Sequence, residues 1–390
     1  MESFVGNLAE SFFNEHRETF GEEAIFVRFA LGERGLKVSV AEFSYTIAAG
    51  TVFYRESAQA SAHSSANLLI KYFDAGESEL LPGFASFAQE IHFLQATLPF
   101  FDAVKPIRHL FLPFCASGAI ATQSTNRSAI LFEWPHKADL GKAVPLGYSR
   151  GSLLMKRIAE LHASSLLLQR SDALLFDNLN CTFLEQAQLD AQLVLPTLRS
   201  CLQPLYEDPR YEDQYDQHFH NGVLRLAFML DDFAHRLNIP FVRANASDRC
   251  WVLCHQNYCQ ESVVFEQAGD QSHEDVKIFN SQMTGFASLG VDLVVPLLVE
   301  LESDCRSRHL HQLVNEYRDE LHIHCAGPTL DSILSEIQKC VPFALYMLAS
   351  RVMWVQSEAE SMTKSLFERN VWTESLVTAL FKYLIDFNCV

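Results

Sequence analysis

Apolar and polar residues alternate along the first third of the chain, a pattern typical of half-buried β-strands. The alternation predicts six strands, at residues 24–29, 36–40, 51–54, 68–73, 107–112 and 128–133. A helix is predicted at 84–98, because Phe87, Ile91, Leu94 and Leu98 recur there at helical spacing. The N-terminal part is therefore predicted to be a sheet interrupted by one helix.

After Gly147 the apolar spacing changes to that of long amphipathic helices. Helices are predicted at 152–169 and 224–237, with one or two more at 333–356. Strands return only around 250–253 and 276–279. The pattern predicts an α+β protein with a strand-rich N-terminal part and a mainly helical C-terminal part.

The composition is that of an ordinary folded protein, with 48% hydrophobic and 20% charged residues in a chain of 390. That length suits two lobes better than one compact core. The formal net charge of −18 argues against nucleic-acid or anionic-membrane partners, since both need clustered Lys and Arg. A protein partner and an apolar ligand stay compatible with this composition.

The cellular location is predicted from targeting signals and from the spacing of the cysteines. The first residues lack the basic, apolar and small-residue regions of a signal peptide, and no run of about 18 apolar residues predicts a membrane span. Ten cysteines occur without a paired spacing. A cytoplasmic protein with reduced thiols is therefore expected.

Two polar segments follow apolar strands in the second half of the chain. The first is His255-Gln256-Asn257 with Ser262 after it, and the second is Asn280-Ser281-Gln282. Small-molecule kinases carry His-Gly-Asp and a following Asn in the first segment, and Asp-Phe-Gln in the second. The two segments resemble a catalytic loop and a metal loop in which two amides and a hydroxyl replace two carboxylates and an amide.

Four other segments carry the same resemblance, at 158–165, 252–255, 290–293 and 341–345. With them the chain resembles, over nearly its whole length, the ecdysteroid-kinase-like (CHK kinase-like) family of insects and nematodes, which is related to choline and aminoglycoside kinases. The resemblance implies a bilobal protein-kinase-like fold, with an N-lobe at 1–135 and a C-lobe at 136–390. It also implies ATP-dependent phosphorylation of small hydroxylated molecules, steroids included, with ATP and magnesium as cofactors.

The resemblance also assigns residues to a nucleotide site. Lys71 ends an apolar strand, as the phosphate-holding lysine of kinases does, and Glu90 matches the glutamate that pairs with it. Glu133 matches the start of the inter-lobe hinge, where Trp134 replaces the usual Asp. A lysine at a strand end is more often a solvated charge, and that alternative stays open for Lys71 and Glu90.

The replaced groups are the ones that the reaction needs. Asn257 stands where an Asp takes the proton of the acceptor hydroxyl, and an amide has no useful basicity. Asn280 and Ser262 offer neutral oxygens where magnesium prefers carboxylates. The stretch at 40–47, which the resemblance assigns to the nucleotide-covering loop, contains no Gly, and Gly50 is the only one nearby. The edits place both ATP and magnesium in doubt, and no protein metal ligand is assigned.

Other candidate groups are weaker. Asp270, Asp275 and Glu261 could replace the lost carboxylates, but surface charge is the favoured interpretation, and Asp292 is expected to cap or brace a loop. A zinc cluster of Cys250, Cys254, His255 and Cys259 lacks a Cys-x-x-Cys pair. The histidine pairs 309/311 and 322/324 do not face each other on a helix, so a surface position is expected.

The sequence favours a pseudokinase over an enzyme, with binding or regulation retained and phosphoryl transfer lost or severely reduced. Two alternatives stay open. One is an active atypical kinase that uses another base. The other is a protein that sequesters an apolar ligand in an inherited substrate cavity.

Overall fold

The computed structural model describes residues 2–20, 23–31, 36–40, 43–75, 82–121, 126–134, 146–183, 189–206, 217–245, 248–259, 262–267, 274–359 and 380–385. The chain divides into two compact units. The first comprises Met1–Ala143 with Gln260–Met283, and the second comprises Val144–Cys259 with Thr284–Val390. The lobe boundary at 135/136 stays a prediction, and the segment that carries Asn280 belongs to the first unit in this division.

The first unit is built on a six-stranded antiparallel sheet. Its strands are β1 (Ile25–Leu31), β2 (Leu36–Val40), β3 (Phe43–Arg55), β4 (Ser64–Ala75), β5 (Phe114–Ala121) and β6 (Asn126–Glu133). Their order is β1-β3-β4-β6-β5, and β2 pairs with β3. Five of the six predicted strands are confirmed, and β4 lies in the middle of the sheet.

The predicted strand at 107–112 is wrong. A 3-10 turn forms at Arg108–Leu110, and the strand of this region is β5, which begins at Phe114. The Asp102 carboxylate holds the turn, because its Oδ1 accepts hydrogen bonds from the backbone N–H groups of Ile107 and Arg108, both at 2.8 Å. The apolar residues at 110–112 are buried one after another, so their run reflects a buried turn and not a strand face.

Helices cover the sheet of the first unit. The predicted helix at 84–98 is confirmed as Pro82–His92, which continues through the π-helix Phe93–Thr97 into Leu98–Val104. Two N-terminal helices, Glu2–Glu15 and Arg17–Phe20, were not predicted. The first of these belongs to an apolar core with β-strand residues, and this core includes Val5, Phe13, Val52, Ile70 and Leu131.

The first unit also contains a hairpin from later in the chain. Strand β8 (Val263–Gln267) pairs antiparallel with β9 (Glu274–Ile278). The backbone N–H of Leu112 donates to the Ile278 carbonyl at 2.9 Å, which fastens the end of β9 to the turn region described above. The strand predicted around 276–279 is confirmed, whereas β8 was missed.

The second unit is mainly helical. The α-helices described in it are Tyr148–Ser171, Ala173–Phe183, Ala191–Tyr206, Gln217–Asp231, Phe233–Asn238, Gly290–Val294, Ser303–His324, Leu330–Lys339 and Val341–Ala359. The helix predicted at 152–169 lies inside the first of these, and the predictions at 224–237 and 333–356 each correspond to two helices. No helix in the described ranges is long and apolar enough to cross a membrane.

One short sheet lies among these helices. Strand β7 (Trp251–Cys254), predicted at 250–253, pairs antiparallel with β10 (Gly285–Ser288). The expectation that strands return at only two places is therefore wrong, since β8 and β10 are added. All four residues of β10 are buried, so the strand shows no alternation that a sequence pattern could reveal.

Candidate functional site

A buried ion pair lies at the centre of the first unit. Lys71 is on the central strand β4, Glu90 is on the helix Pro82–His92, and both side chains are fully buried. Lys71 Nζ donates a hydrogen bond to Glu90 Oε2. The alternative that these residues are solvated surface charges is wrong. Breaking such a pair by removing one partner leaves an uncompensated buried charge.

The segment Ser281–Met283 holds this ion pair from the other side. The backbone N–H of Ser281 donates to Glu90 Oε1 at 2.9 Å, and Gln282 Oε1 accepts from Lys71 Nζ at 2.5 Å. The ammonium also lies 5.0 Å from the centroid of the Phe87 ring. Both oxygens of the Glu90 carboxylate are therefore used. The sequence did not single out Gln282 for this contact.

Burial controls the acidity of Lys71. Removal of the ammonium from water lowers its pKa below the ordinary value, and the nearby Glu90 carboxylate opposes part of this effect. The contacts of the buried ammonium include one carboxylate, one amide oxygen and an aromatic face. An anion that approached Lys71 would meet a poorly hydrated cation, for which electrostatic attraction is stronger than in water.

Asn280 and Ser262 are neighbours in the first unit. Asn280 follows β9, Ser262 precedes β8, and the hairpin brings Asn280 Nδ2 within 3.3 Å of Ser262 Oγ. The Phe279 N–H also donates to the Ser262 carbonyl at 3.0 Å. Asn280 has φ 61°, a left-handed conformation that Asn tolerates better than most residues. Both side chains are fully buried and neutral.

These neighbours do not fit a magnesium site of the usual kind. Magnesium is held in such sites through one or two carboxylates together with phosphate oxygens. The side chains that the hairpin presents are an amide and a hydroxyl, and they bond to each other. The two positions that the resemblance assigns to the metal are thus adjacent, but their chemistry is unsuited to it.

The catalytic-loop-like segment belongs to the second unit, where it follows β7. His255, Gln256 and Asn257 are all buried. The Asp292 carboxylate accepts hydrogen bonds from the backbone N–H groups of His255 at 2.8 Å and Gln256 at 2.7 Å. The expectation that Asp292 braces a loop is confirmed.

Asn257 is held by its own loop. Its Oδ1 accepts a hydrogen bond from the Cys259 thiol at 3.0 Å, and its backbone carbonyl accepts one from the Cys259 N–H at 2.9 Å. A carboxamide oxygen can orient a hydroxyl group, but it cannot take the proton away. Asn257 therefore presents the geometry of a hydrogen-bonding residue without the basicity of a carboxylate.

A profile of the family described as "Ecdysteroid kinase-like family" matches residues 46–327, which is well over half of the chain. The chain belongs to the ecdysteroid kinase-like family. The predicted kinase-like α+β fold, strand-rich in its N-terminal part and mainly helical in its C-terminal part, is confirmed. No curated protein matches the sequence.

Solved structures of small-molecule kinases are similar at low identity. An ethanolamine kinase of Plasmodium vivax is 10% identical, with 95% of this chain and 84% of that chain covered and a TM-score of 0.41. A choline kinase of Streptococcus pneumoniae is 10% identical over 95% and 99%, with a TM-score of 0.38. The GDP complex of aminoglycoside 2'-phosphotransferase-IIIa is 11% identical over 95% and 98%, with a TM-score of 0.43.

A buried polar network supports the catalytic-loop-like segment of this ecdysteroid kinase-like protein. His162 Nδ1 lies 2.7 Å from the Tyr317 hydroxyl, and His162 Nε2 lies 3.1 Å from Asp292 Oδ2. His162 belongs to the motif at 158–165 that carried the family resemblance, but its partners could not be predicted from the sequence. Histidine, tyrosine and aspartate come from three different helices.

The backbone at Gln256 has a conformation that favours glycine. Its φ is 62°, and the resemblance places it where related kinases carry the Gly of His-Gly-Asp. A non-glycine residue held in this region costs of the order of 1–3 kcal/mol. The Asp292 carboxylate contributes to holding it there through the hydrogen bond to the Gln256 N–H.

The zinc cluster of Cys250, Cys254, His255 and Cys259, which the sequence disfavoured, is not formed among the described residues. One group there has metal-ligand atoms that all lie within 4.8 Å of one another, namely His162, Cys254 and Asp292. Both Asp292 oxygens already accept backbone hydrogen bonds, and burial raises the pKa of the Cys254 thiol well above its usual value. The group therefore fits a hydrogen-bonded network with a neutral thiol better than a metal centre.

The remaining predicted residues have these positions. Glu133 ends β6 with an exposed side chain, and its hinge role stays a prediction. Asp275 lies on β9, where its Oδ2 is 2.9 Å from Lys277 Nζ. Gly50 lies inside β3, where the Ile70 side chain would be 2.2 Å from an added Cβ, so a side chain there would meet the neighbouring strand.

Several predictions fall partly or wholly outside the described residues. Asp270 and Glu261 are outside them, as are the side chains at 40–47, whose backbone belongs to β2 and β3 on either side of 41–42. The four histidines at 309, 311, 322 and 324 lie on the helix Ser303–His324 with exposed or partly exposed side chains, so their predicted surface position is confirmed.

Proposed function

We propose that this member of the ecdysteroid kinase-like family is a pseudokinase, in which a small-molecule phosphotransferase fold is retained for binding or regulation and phosphoryl transfer is lost or severely reduced. The observation that carries the proposal is the chemistry of three buried positions. Asn257, Asn280 and Ser262 are neutral, and each is hydrogen-bonded to a neighbouring residue.

The first consequence concerns the acceptor hydroxyl. Phosphoryl transfer needs this group to be oriented and relieved of its proton. Asn257 can accept a hydrogen bond through Oδ1, where the Cys259 thiol is its partner in the structure, but it cannot act as the base. Loss of a general base slows such reactions by about 10²–10⁴.

The second consequence concerns the metal. Magnesium bound to nucleotide phosphates would find the amide of Asn280 and the hydroxyl of Ser262 at the positions where related kinases offer an aspartate and an asparagine. Such ligands hold the ion weakly. Any nucleotide is therefore proposed to bind with little dependence on magnesium.

Nucleotide binding itself is supported by the Lys71–Glu90 pair. This pair has the lysine and glutamate that kinases use to hold the nucleotide phosphates, and both residues are buried on the elements that the family resemblance requires. We include ATP or ADP as the cofactor, a small hydroxylated or apolar molecule as the second ligand, and a cytoplasmic location in the proposal.

The proposal is tested by transfer of radiolabelled phosphate from ATP to a hydroxylated steroid such as an ecdysteroid. We expect no transfer above the level of a Lys71→Ala control, and we expect stabilisation against heat by ATP with or without magnesium. Transfer that Lys71→Ala abolishes would overturn the proposal and establish an active atypical kinase.

A restored variant makes the same test sharper. Asn257→Asp, Ser262→Asn and Asn280→Asp together return the groups that the family resemblance expects. We expect the restored variant to bind ATP more tightly in the presence of magnesium than in its absence, whereas the unaltered protein shows little difference. Equal magnesium dependence in both proteins would refute the assignment of these positions.

A further inference from the structure

The Gln282 side chain occupies a place on Lys71 that the function above needs for phosphate. Gln282 is buried, and its Oε1 accepts a hydrogen bond from Lys71 Nζ at 2.5 Å. The other end of the same amide, Nε2, is buried and has no hydrogen-bond partner among the described residues. One hydrogen bond therefore positions this polar side chain.

The contact is not needed to attach the segment. The backbone N–H of Ser281 already joins Ser281–Met283 to Glu90 at 2.9 Å. Glu90 also supplies the charge that Lys71 needs, because its Oε2 accepts from Nζ. A purely structural role for Gln282 would thus duplicate what its neighbours do, and it would still leave a buried amide N–H₂ unsatisfied, which is unfavourable.

We propose that Gln282 is a displaceable gate on Lys71. The Gln282 oxygen holds the ammonium when no nucleotide is bound, and a nucleotide phosphate oxygen replaces it on binding. The displaced amide then gains hydrogen bonds for Nε2. These bonds offset part of the free energy lost when Oε1 leaves Lys71. The inference rests on the nucleotide binding proposed above, and it names a residue that sets nucleotide affinity.

Of the three contacts that Lys71 makes with Glu90, Phe87 and Gln282, the one with Gln282 is the one that an anion can displace. Glu90 is an anion that remains paired with Lys71, and the Phe87 ring offers no acceptor that a phosphate could replace. The Gln282 amide is neutral, so its exchange for a phosphate oxygen exchanges a dipole for a charge at a poorly hydrated cation.

The test compares Gln282→Ala and Gln282→Asn with the unaltered protein. Both substitutions remove the acceptor from Lys71, since the Asn side chain is one methylene shorter, and the pair guards against a single variant that fails to fold. Gln338→Ala, at an exposed position on the helix Leu330–Lys339, is the matched control. ADP binding is measured by calorimetry without magnesium.

The second measurement is the rate at which acetic anhydride modifies Lys71. Acetic anhydride modification at this lysine is followed by peptide mass spectrometry, because a buried ammonium of an intact fold reacts slowly. We expect both Gln282 variants to bind ADP about three- to tenfold more tightly and to be acetylated faster at Lys71, with ADP protecting the lysine. We expect Gln338→Ala to change neither.

Gln282→Glu gives the opposite expectation. A carboxylate at this position pairs with the ammonium more strongly than the amide does, and it repels phosphate. ADP affinity should fall by at least about tenfold.

The outcomes separate the gate from the function on which it rests. If the unaltered protein binds ADP and the Ala and Asn variants bind it equally well or less well, the gate is wrong while nucleotide binding stands. If ADP binds to none of these proteins, nucleotide binding is wrong and the gate falls with it. Binding that appears only in the Ala and Asn variants would support a gate that is closed in the unaltered protein.

Discussion

Lys71 and Glu90 depend on each other because each charge is fully withdrawn from water. The Lys71 ammonium has Gln282 as a further partner, and the Glu90 carboxylate has the Ser281 N–H. Neither Gln282 nor the Ser281 N–H carries a charge. The loss of Glu90 would therefore leave a cation in a site that already lowers its pKa through burial.

We expect Glu90→Gln to lower the free energy of unfolding by about 3–5 kcal/mol, because it leaves the buried ammonium uncompensated. Urea denaturation monitored by tryptophan fluorescence measures the loss. The double variant Lys71→Met with Glu90→Leu removes both charges, and it should be markedly more stable than Glu90→Gln. Equal stability of the two proteins would show that the ion pair is not the cause.

Gln256 provides a second test of a single residue, because its φ of 62° suits glycine. We expect Gln256→Gly to be about 1 kcal/mol more stable than Gln256→Ala, since both variants lose the side chain but only Gly relieves the backbone. Ser335, an exposed residue inside the helix Leu330–Lys339, is the control, where Gly should be about 1 kcal/mol less stable than Ala. The same order at both positions in thermal denaturation would contradict the explanation.

Whole elements of the second unit converge on one carboxylate. Asp292, in the helix Gly290–Val294, joins the loop after β7 to His162 and, through His162, to Tyr317. Three helices and a strand end are thereby fixed to one another by charge-assisted and neutral hydrogen bonds. The loop before Asn257 is therefore held by the Asp292 carboxylate through two backbone N–H groups.

We expect Asp292→Asn to destabilise the protein by at least about 2 kcal/mol, because an amide N–H₂ would face a backbone N–H that now donates to a carboxylate oxygen. Chemical denaturation measures this change. The control is Asp319→Asn, an exposed position beside Arg318, where the change should stay within about 0.5 kcal/mol. Similar effects at both sites would argue against a bracing role for Asp292.

At the scale of the whole molecule, folding changes the chemistry of the thiols. Burial raises the pKa of Cys115 and of Cys250 to about 12, and that of Cys254 well above its usual value. The thiolate is the reactive form of cysteine. These residues should therefore be almost unreactive near neutral pH while the protein is folded.

We expect iodoacetamide at pH 8 to modify Cys115 and Cys250 at least about tenfold more slowly in the native protein than in urea, as measured by peptide mass spectrometry. The native rate should keep rising with pH towards about 12, because the thiolate fraction increases until that value is reached. A native rate that levels off near pH 9 would show that these pKa values are not raised.

The sequence alone was enough for the family, the order of most elements and the positions of the altered groups. Secondary structure was predicted correctly where the periodic pattern of apolar residues is strong, as in β3, β4 and the helix Tyr148–Ser171. It failed at 107–112 and at β10, because residues buried on every side show no periodicity. The sequence was also enough to recognise that Asn257, Ser262 and Asn280 differ in chemical type from the groups expected at these positions.

The tertiary structure decided which of these residues meet. Hydrogen-bond partners far apart in the chain cannot be derived from spacing, because they depend on how elements pack. Lys71 with Gln282, Asn280 with Ser262, and His162 with Asp292 are three such pairs. The sequence determined that carboxylates are missing, and the fold decided that Asn257 and Asn280 are buried and that each bonds to a neighbour in its own unit.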